Sequence, residues 1–216
     1  MLEKAEKLIC KLLKNSSVIK NKDIYKIQIK SLKEICKCYD GVHQTPKYID
    51  QGVPFVSVEN IKNIYATNKF ISLNDFNKYK IKTQKGDLFM TRIGDIGTCA
   101  VVENNDNLAY YVSLALLRPN QNIVLSKFLK YMIESEHGKK ELNKRILHSA
   151  CPIIINLTEI SKLKFLIPPL TIQKHIVNIL DKFYELINDL TKGLPQEIEL
   201  RKKQYDYYCN KLLNFH

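Results

Sequence analysis

Ile167-Pro168-Pro169-Leu170-Thr171-Ile172-Gln173 divides the chain into two unlike parts. The prolines forbid a helix up to that point, and Thr171 offers a side-chain oxygen to cap one directly after. Beyond it, apolar residues fall at Ile172, Ile176, Ile179, Phe183, Leu186 and Leu190. That alternating four-and-three spacing is a heptad seam, narrower than the stripe of an ordinary core helix. Gly193-Leu194-Pro195 interrupts it, and the spacing restarts at Leu194, Ile198, Tyr205, Tyr208, Leu212 and Phe215, with Arg201 the charged member. At about 1.5 Å per residue the two segments span roughly 33 and 31 Å. A stem this long with one apolar seam is expected to pair with a second copy through Ile172, Ile176, Ile179, Phe183, Leu186, Leu190, Tyr205, Tyr208 and Leu212. The other reading is a helix pair folded back onto its own domain.

Charge divides at the same place. Of 216 residues carrying a formal charge of +12, residues 1–167 hold 27 Lys+Arg against 16 Asp+Glu, while residues 168–216 hold 7 against 6. A basic head suits a polyanion and a near-neutral stem suits protein. Lysine supplies 30 of the 34 cations, a usage that coding bias also produces, so the excess weighs less than its sum. The 45% hydrophobic fraction excludes wholesale disorder. Cys10, Cys36, Cys38, Cys99, Cys151 and Cys209 show no paired metal-site spacing and read as small reduced hydrophobes. Leu8 to Leu13 is too short for a secretory signal and is broken by Lys11. No run approaches the ~20 residues of a membrane span. A cytoplasmic location, with no membrane contact, is expected.

Along the head, residues 2–14 form an amphipathic helix with Leu2, Ala5, Ile9, Leu12 and Leu13 on one side. Alternation over 24–29 predicts a strand, and Ser31 caps a short helix through Cys36. A buried strand follows from Val53 to Val58, then a short helix from Ser72 to Tyr79. Two strand-like runs flank Gly94-Asp95-Ile96-Gly97 and predict a hairpin. Tyr110 to Leu117 reads as one strand, Ser126–His137 and Lys139–His148 as helices split at Gly138. Thr158 caps a last turn before a strand over Lys164–Ile167. The fold class is α+β: a head of short strands and helices (1–167), then a long coiled-coil-forming helical stem (168–216).

Several of these stretches resemble one family. Ile167 to Gln173, Ile179 to Asp181, Gly193 to Glu199, Lys203 to Tyr208 and Lys211 to Phe215 closely resemble the helical region of type I restriction-modification specificity subunits. Asp40-Gly41, Thr45-Pro46, Gly52 to Phe55, Val58 to Ile61 and Lys85 to Gly97 resemble the target-recognition domain of the same subunits. Such subunits usually carry two recognition domains and two helical regions, which pair antiparallel as a spacer and dock methyltransferase subunits. This chain shows one of each and looks like half of one. The resemblance implies a non-catalytic chain, without a cofactor of its own, that directs partners to a bipartite site on double-stranded DNA. Those partners are methyltransferase (M) subunits using S-adenosylmethionine for adenine methylation and a restriction (R) subunit using ATP and Mg. The alternatives are the recognition module of a fused methyltransferase-nuclease and an unassembled recombination cassette.

The residues agree with a chain that does no chemistry. An adenine methyltransferase needs an Asn/Asp-Pro-Pro-aromatic loop to hold the flipped base, and here Ile167 and Leu170 flank Pro168-Pro169. No Ser, His and Asp stand in a nucleophile-elbow setting. His43, His137, His148 and His175 are scattered singly.

For DNA contact, Lys78, Lys80, Lys82 and Lys85 lie together before the hairpin and either neutralise phosphates or coat a solvated loop. Arg92, beside a glycine turn, either reaches guanine bidentately or pairs with Asp87 or Asp95. Lys47, Tyr48, Asn60, Asn68 and Lys69 lie in loops and offer groups that base edges accept. Lys139, Lys140, Lys144, Arg145 and His148 line a helix face that binds backbone or merely covers the surface.

Overall fold

The computed structural model describes residues 27–190 and 195–213, with side chains described through 185 and again from 199. The helix read over residues 2–14, the start of the 24–29 strand, the side chains of Leu186 and Leu190, and Phe215 all lie outside the described residues. In chain order the elements are β1 (Gln28–Ser31), α1 (Leu32–Ile35), β2 (Cys36–Asp40), β3 (Val53–Val56), β4 (Phe70–Ile71), α2 (Leu73–Asn77), β5 (Leu88–Ile93) and β6 (Asp95–Val101). Then come β7 (Ala109–Tyr110), β8 (Leu114–Pro119), α3 (Ser126–Glu134), α4 (Glu136–Asn143), α5 (Leu157–Ile160), β9 (Lys164–Ile167), α6 (Leu170–Leu190) and α7 (Pro195–Leu213). The class is α+β, as the mixture of short strands with segregated helices predicts.

A four-stranded antiparallel sheet in the order β2-β8-β5-β6 forms the centre. Its two central strands, β8 and β5, read as nearly continuous apolar runs because both of their faces are covered. Leu88 and Met90 of β5 face α3, packing among Phe128, Leu129, Met132 and Ile133. Phe89 points the other way, as the two-residue period of a strand requires, into a cluster with Val56, Ile64, Tyr110, Leu114 and Leu116. Burying a side chain such as Phe89 or Phe128 is worth about 1.5–3 kcal/mol. A small sheet, β4-β3-β7, carries β7 parallel to β3 and packs Phe55 and Ile71 on Phe76 of α2. β1 pairs with β9 and brings residues 28–31 beside the start of the stem.

Local boundaries differ from the sequence reading in instructive places. The run from Tyr110 to Leu117 is two strands in two sheets, because Tyr111 to Ser113 turn the chain between β7 and β8. The break between α3 and α4 falls at Ser135, not at Gly138. Ser135 Oγ accepts from the Gly138 amide at 3.1 Å and caps α4. Gly138 sits inside α4 because a Cβ there would meet the Ile133 carbonyl at 2.2 Å. The hairpin turn is tighter than Gly94 to Gly97, with Gly94 at φ +77° and Gly97 already within β6, opposite an irregularity between Met90 and Arg92. Asn156 occupies the cap position of α5.

The stem departs most from expectation. α6 begins at Leu170, its first amides donating to the Pro169 carbonyl at 3.0 and 3.1 Å, so Thr171 is an exposed helical residue and caps nothing. Ile172 and Ile176 are 0% and 2% exposed and lie in the head's main core with Val177 and Leu180. Leu212 and Leu213 at the end of α7 join the same core, so α7 runs back antiparallel along α6, with the Phe183 ring stacked on Tyr208 at 4.9 Å. Ile179, Phe183, Tyr205 and Tyr208 are half-buried within the chain. The seam read as a pairing face is thus covered, over its described part, by the chain's own head and second helix. Only four residues separate α6 from α7, so bringing the second helix onto the apolar face of the first costs little entropy, which favours this fold-back. Gln173, fully buried, locks the joint: its amide donates to the carbonyls of Ile123 (2.9 Å) and Pro168 (2.8 Å) and accepts from the Leu125 amide at 2.9 Å. Asp181 adds a second tie, receiving the Tyr131 hydroxyl at 2.6 Å and Lys127 Nζ at 2.8 Å.

Ile172→Ala should therefore destabilise the whole chain by about 2–5 kcal/mol, whereas Tyr184→Ala on the exposed side should change stability by under about 0.5 kcal/mol. Denaturant unfolding measures both. An unchanged midpoint for Ile172→Ala would place that side chain against another molecule instead.

Candidate nucleic-acid interface

Four loops converge at one end of the central sheet, and a buried arginine joins them. Arg92, at the end of β5, is 5% exposed. Its Nη1 donates to Asp40 Oδ1 at 2.6 Å and its Nε to the Ile155 carbonyl at 3.2 Å. The Ile155 amide returns a bond to the Arg92 carbonyl at 3.0 Å, and the Arg92 amide donates to Ser113. Arg92 therefore neither reaches a base nor pairs with Asp87 or Asp95, and its place among the DNA-contacting residues is corrected to a brace. Asp87, 2% exposed, belongs instead to Arg118, which grips both carboxylate oxygens at 2.8 Å and stacks over the Tyr39 ring. That bidentate bond holds the Arg118 guanidinium above its usual pKa.

Around this brace the backbone is pinned. Gly41 has no room for a Cβ, since the Tyr111 carbonyl would stand at 2.3 Å. Val42 exchanges bonds with Tyr110 and Val112, and the Gly94 amide donates to Ile153 at 2.9 Å. Polar groups project outward: His43, Gln44, Thr45 and Lys47 from one loop, His148 and Ser149 from another, with Tyr48, Ile49 and Leu147 exposed beside them.

The remaining predicted residues separate into two groups. On the small sheet, Tyr48 rests edge-on against Phe55, and Lys69 lies 5.9 Å from the Tyr48 ring centre and 2.7 Å from Glu59. The Glu59 hydrogen bond holds the Lys69 ammonium above its ordinary pKa. Asn68 is exposed, while Asn60 turns its amide oxygen back to the Ser57 amide at 3.4 Å. Lys78 pairs with Asp75 at 2.7 Å, and that bond and one from Ser72 hold the Asp75 carboxyl below its usual range. Lys82 donates to Asn77 and lies over Phe76, whereas Lys47 and Lys80 are exposed with no acidic partner among the described residues. The second group is on and after α4. Lys144 is 2.5 Å from Glu141, Arg145 lies half-buried between Glu141 and Glu159, and His148 Nε2 is 3.3 Å from the Asn143 carbonyl. Arg145 thus stabilises its own surroundings. Among the described residues no group of three His, Cys, Asp or Glu could hold a metal ion.

The family model described as the type I restriction modification DNA specificity domain matches residues 14–200. The chain belongs to this family. A Haemophilus influenzae chain named as a type I restriction enzyme specificity subunit is 33% identical over 149 residues, 68% of this chain and 37% of the relative. The EcoR124I/EcoR124II specificity subunit of Escherichia coli is 39% identical over 97 residues, 45% of this chain and 24% of the relative. The solved HsdS subunit from Thermoanaerobacter tengcongensis superposes with a TM-score of 0.61 at 17% identity, covering 97% of this chain and 49% of that one, a likeness of fold. The matched regions thus cover well under half the length of the Haemophilus influenzae and Escherichia coli relatives. The specificity-domain match takes in every predicted DNA-facing residue from Lys47 to His148, together with the brace at Arg92 that sequence reasoning assigned to the surface.

Arg92→Met should cost about 2–3 kcal/mol by leaving the half-buried Asp40 carboxylate and the Ile155 carbonyl without their donor. Chemical denaturation checks this. Unaltered stability with weakened DNA binding would instead place the guanidinium outward.

Proposed function

We propose that this chain recognises DNA sequence for a type I restriction-modification complex, without catalysis or cofactor of its own, in the cytoplasm. The observation that carries the reading is the specificity-domain match over residues 14–200, joined to a head that holds the chain's positive charge. The relatives named are type I specificity subunits, which does not favour the fused-module or cassette alternatives. Methyltransferase subunits supply S-adenosylmethionine chemistry, and a restriction subunit supplies ATP-driven cleavage. Lys47 and Lys80 set register through phosphates, with Lys69 and Lys78 doing so only when DNA displaces Glu59 and Asp75. Tyr48, Asn68, Lys144 and His148 lie at the reading surface. A bipartite target read by two such heads, including two copies joined by their stems, is the finer part of the proposal. Since Ile172 and Ile176 are buried in the head, a joining face would use the exposed Tyr184, Leu200 and Tyr207.

The isolated chain is expected to bind duplex DNA weakly. With two or three phosphates neutralised, affinity should fall about 10- to 40-fold between about 50 and 200 mM salt. Methyl transfer to a defined motif should appear only when the methyltransferase subunit of the same system is added. Salt-independent binding, or methylation by the chain alone, would overturn the proposal.

A further inference from the structure

The loop that leaves the buried brace carries a side chain oriented more firmly than its exposure requires. Asp40 uses Oδ1 for Arg92 and Oδ2 for His43, whose Nε2 lies 3.1 Å away. The His43 side chain is 72% exposed, yet it stands one residue beyond Val42, whose backbone is fixed on both sides by Tyr110 and Val112. A surface imidazole is thus aimed by a carboxylate that a buried guanidinium holds in place. A carboxylate only accepts hydrogen bonds, so the nitrogen facing it, Nε2, carries the hydrogen. In the neutral ring Nδ1 is then an acceptor. A phosphate oxygen has no hydrogen to give such a group, whereas the exocyclic amines of adenine and cytosine present one in the major groove.

Resting on the DNA-recognition reading above, we propose that His43 is a specificity-determining residue that accepts a hydrogen bond from the exocyclic amine of an adenine or cytosine in the target. Asp40 and Arg92 are its positioning residues. The arrangement is pre-organised, so the ring loses little freedom when it meets DNA. Lys47 and Tyr48 follow four and five residues on in the same segment.

The test uses the chain assembled with its methyltransferase subunit and compares methylated motifs, salt slope and melting temperature for wild type, His43→Ala and His43→Lys. His43→Ala should reduce discrimination at one adenine- or cytosine-bearing position by roughly ten-fold or more, with melting temperature and salt slope unchanged. His43→Lys, which adds a cation but cannot accept, should lose the same discrimination. An unchanged motif and rate for His43→Ala would overturn the proposal. So would a uniform loss over all sequences with a shallower salt slope, the mark of a phosphate contact. A wild-type complex that methylates no defined motif would instead overturn the recognition reading itself, and a defined motif left unchanged by both variants would overturn only the role of His43.

Discussion

The burial of the Arg92 guanidinium constrains the head more than any other single interaction. Removing such a charge from water costs several kcal/mol unless its hydrogen bonds are met nearby. Asp40 at the end of β2 and the Ile155 carbonyl after α4 meet them, so those two points of the chain must come to the end of β5. The loops that follow Asp40 and precede Ile155 are carried along. Gly41, lacking a Cβ, then permits the Tyr111 carbonyl to close the arrangement from the turn after β7. One desolvated cation therefore dictates where the outward-facing loops begin.

The stem is an extension of the same core. Ile172, Ile176 and Leu180 share the cluster of Phe128 and Met132, and Leu212 and Leu213 close it from the returning helix. Gln173 adds specificity of a different kind, because a buried amide with three bonds tolerates no other register of α6 against residues 123–125. Orientation of the head relative to the stem is consequently set by packing and hydrogen bonds, not by a pliant linker.

Charge is also sorted by the fold. Carboxylates neutralise Lys69, Lys78, Lys140, Lys144 and Arg145 within the chain, largely through exposed pairs that contribute little to stability. The formal count of cations therefore overstates the field that the head presents, and Lys47 and Lys80, which have no acidic partner among the described residues, weigh more than their number.

The sequence by itself determined the elements whose cues are local: the capped turn at Ser31, the hairpin around Gly94, the strand before Pro168 and the two long helices around Pro195. It also carried the family, because Ile167 to Gln173 and Lys85 to Gly97 are contiguous stretches. Only the tertiary structure decided that Arg92 faces inward, since its partner Asp40 lies 52 residues away and no periodicity announces the pair. The same holds for Gln173, polar in a seam of apolar neighbours, and for Tyr110 and Leu114, one apolar run assigned to two sheets. The heptad seam shows the limit most plainly. Spacing states that Ile172 and Ile176 must be covered but is silent on the cover, because apolar burial is non-directional and rewards a nearby helix of the same chain as well as a second copy.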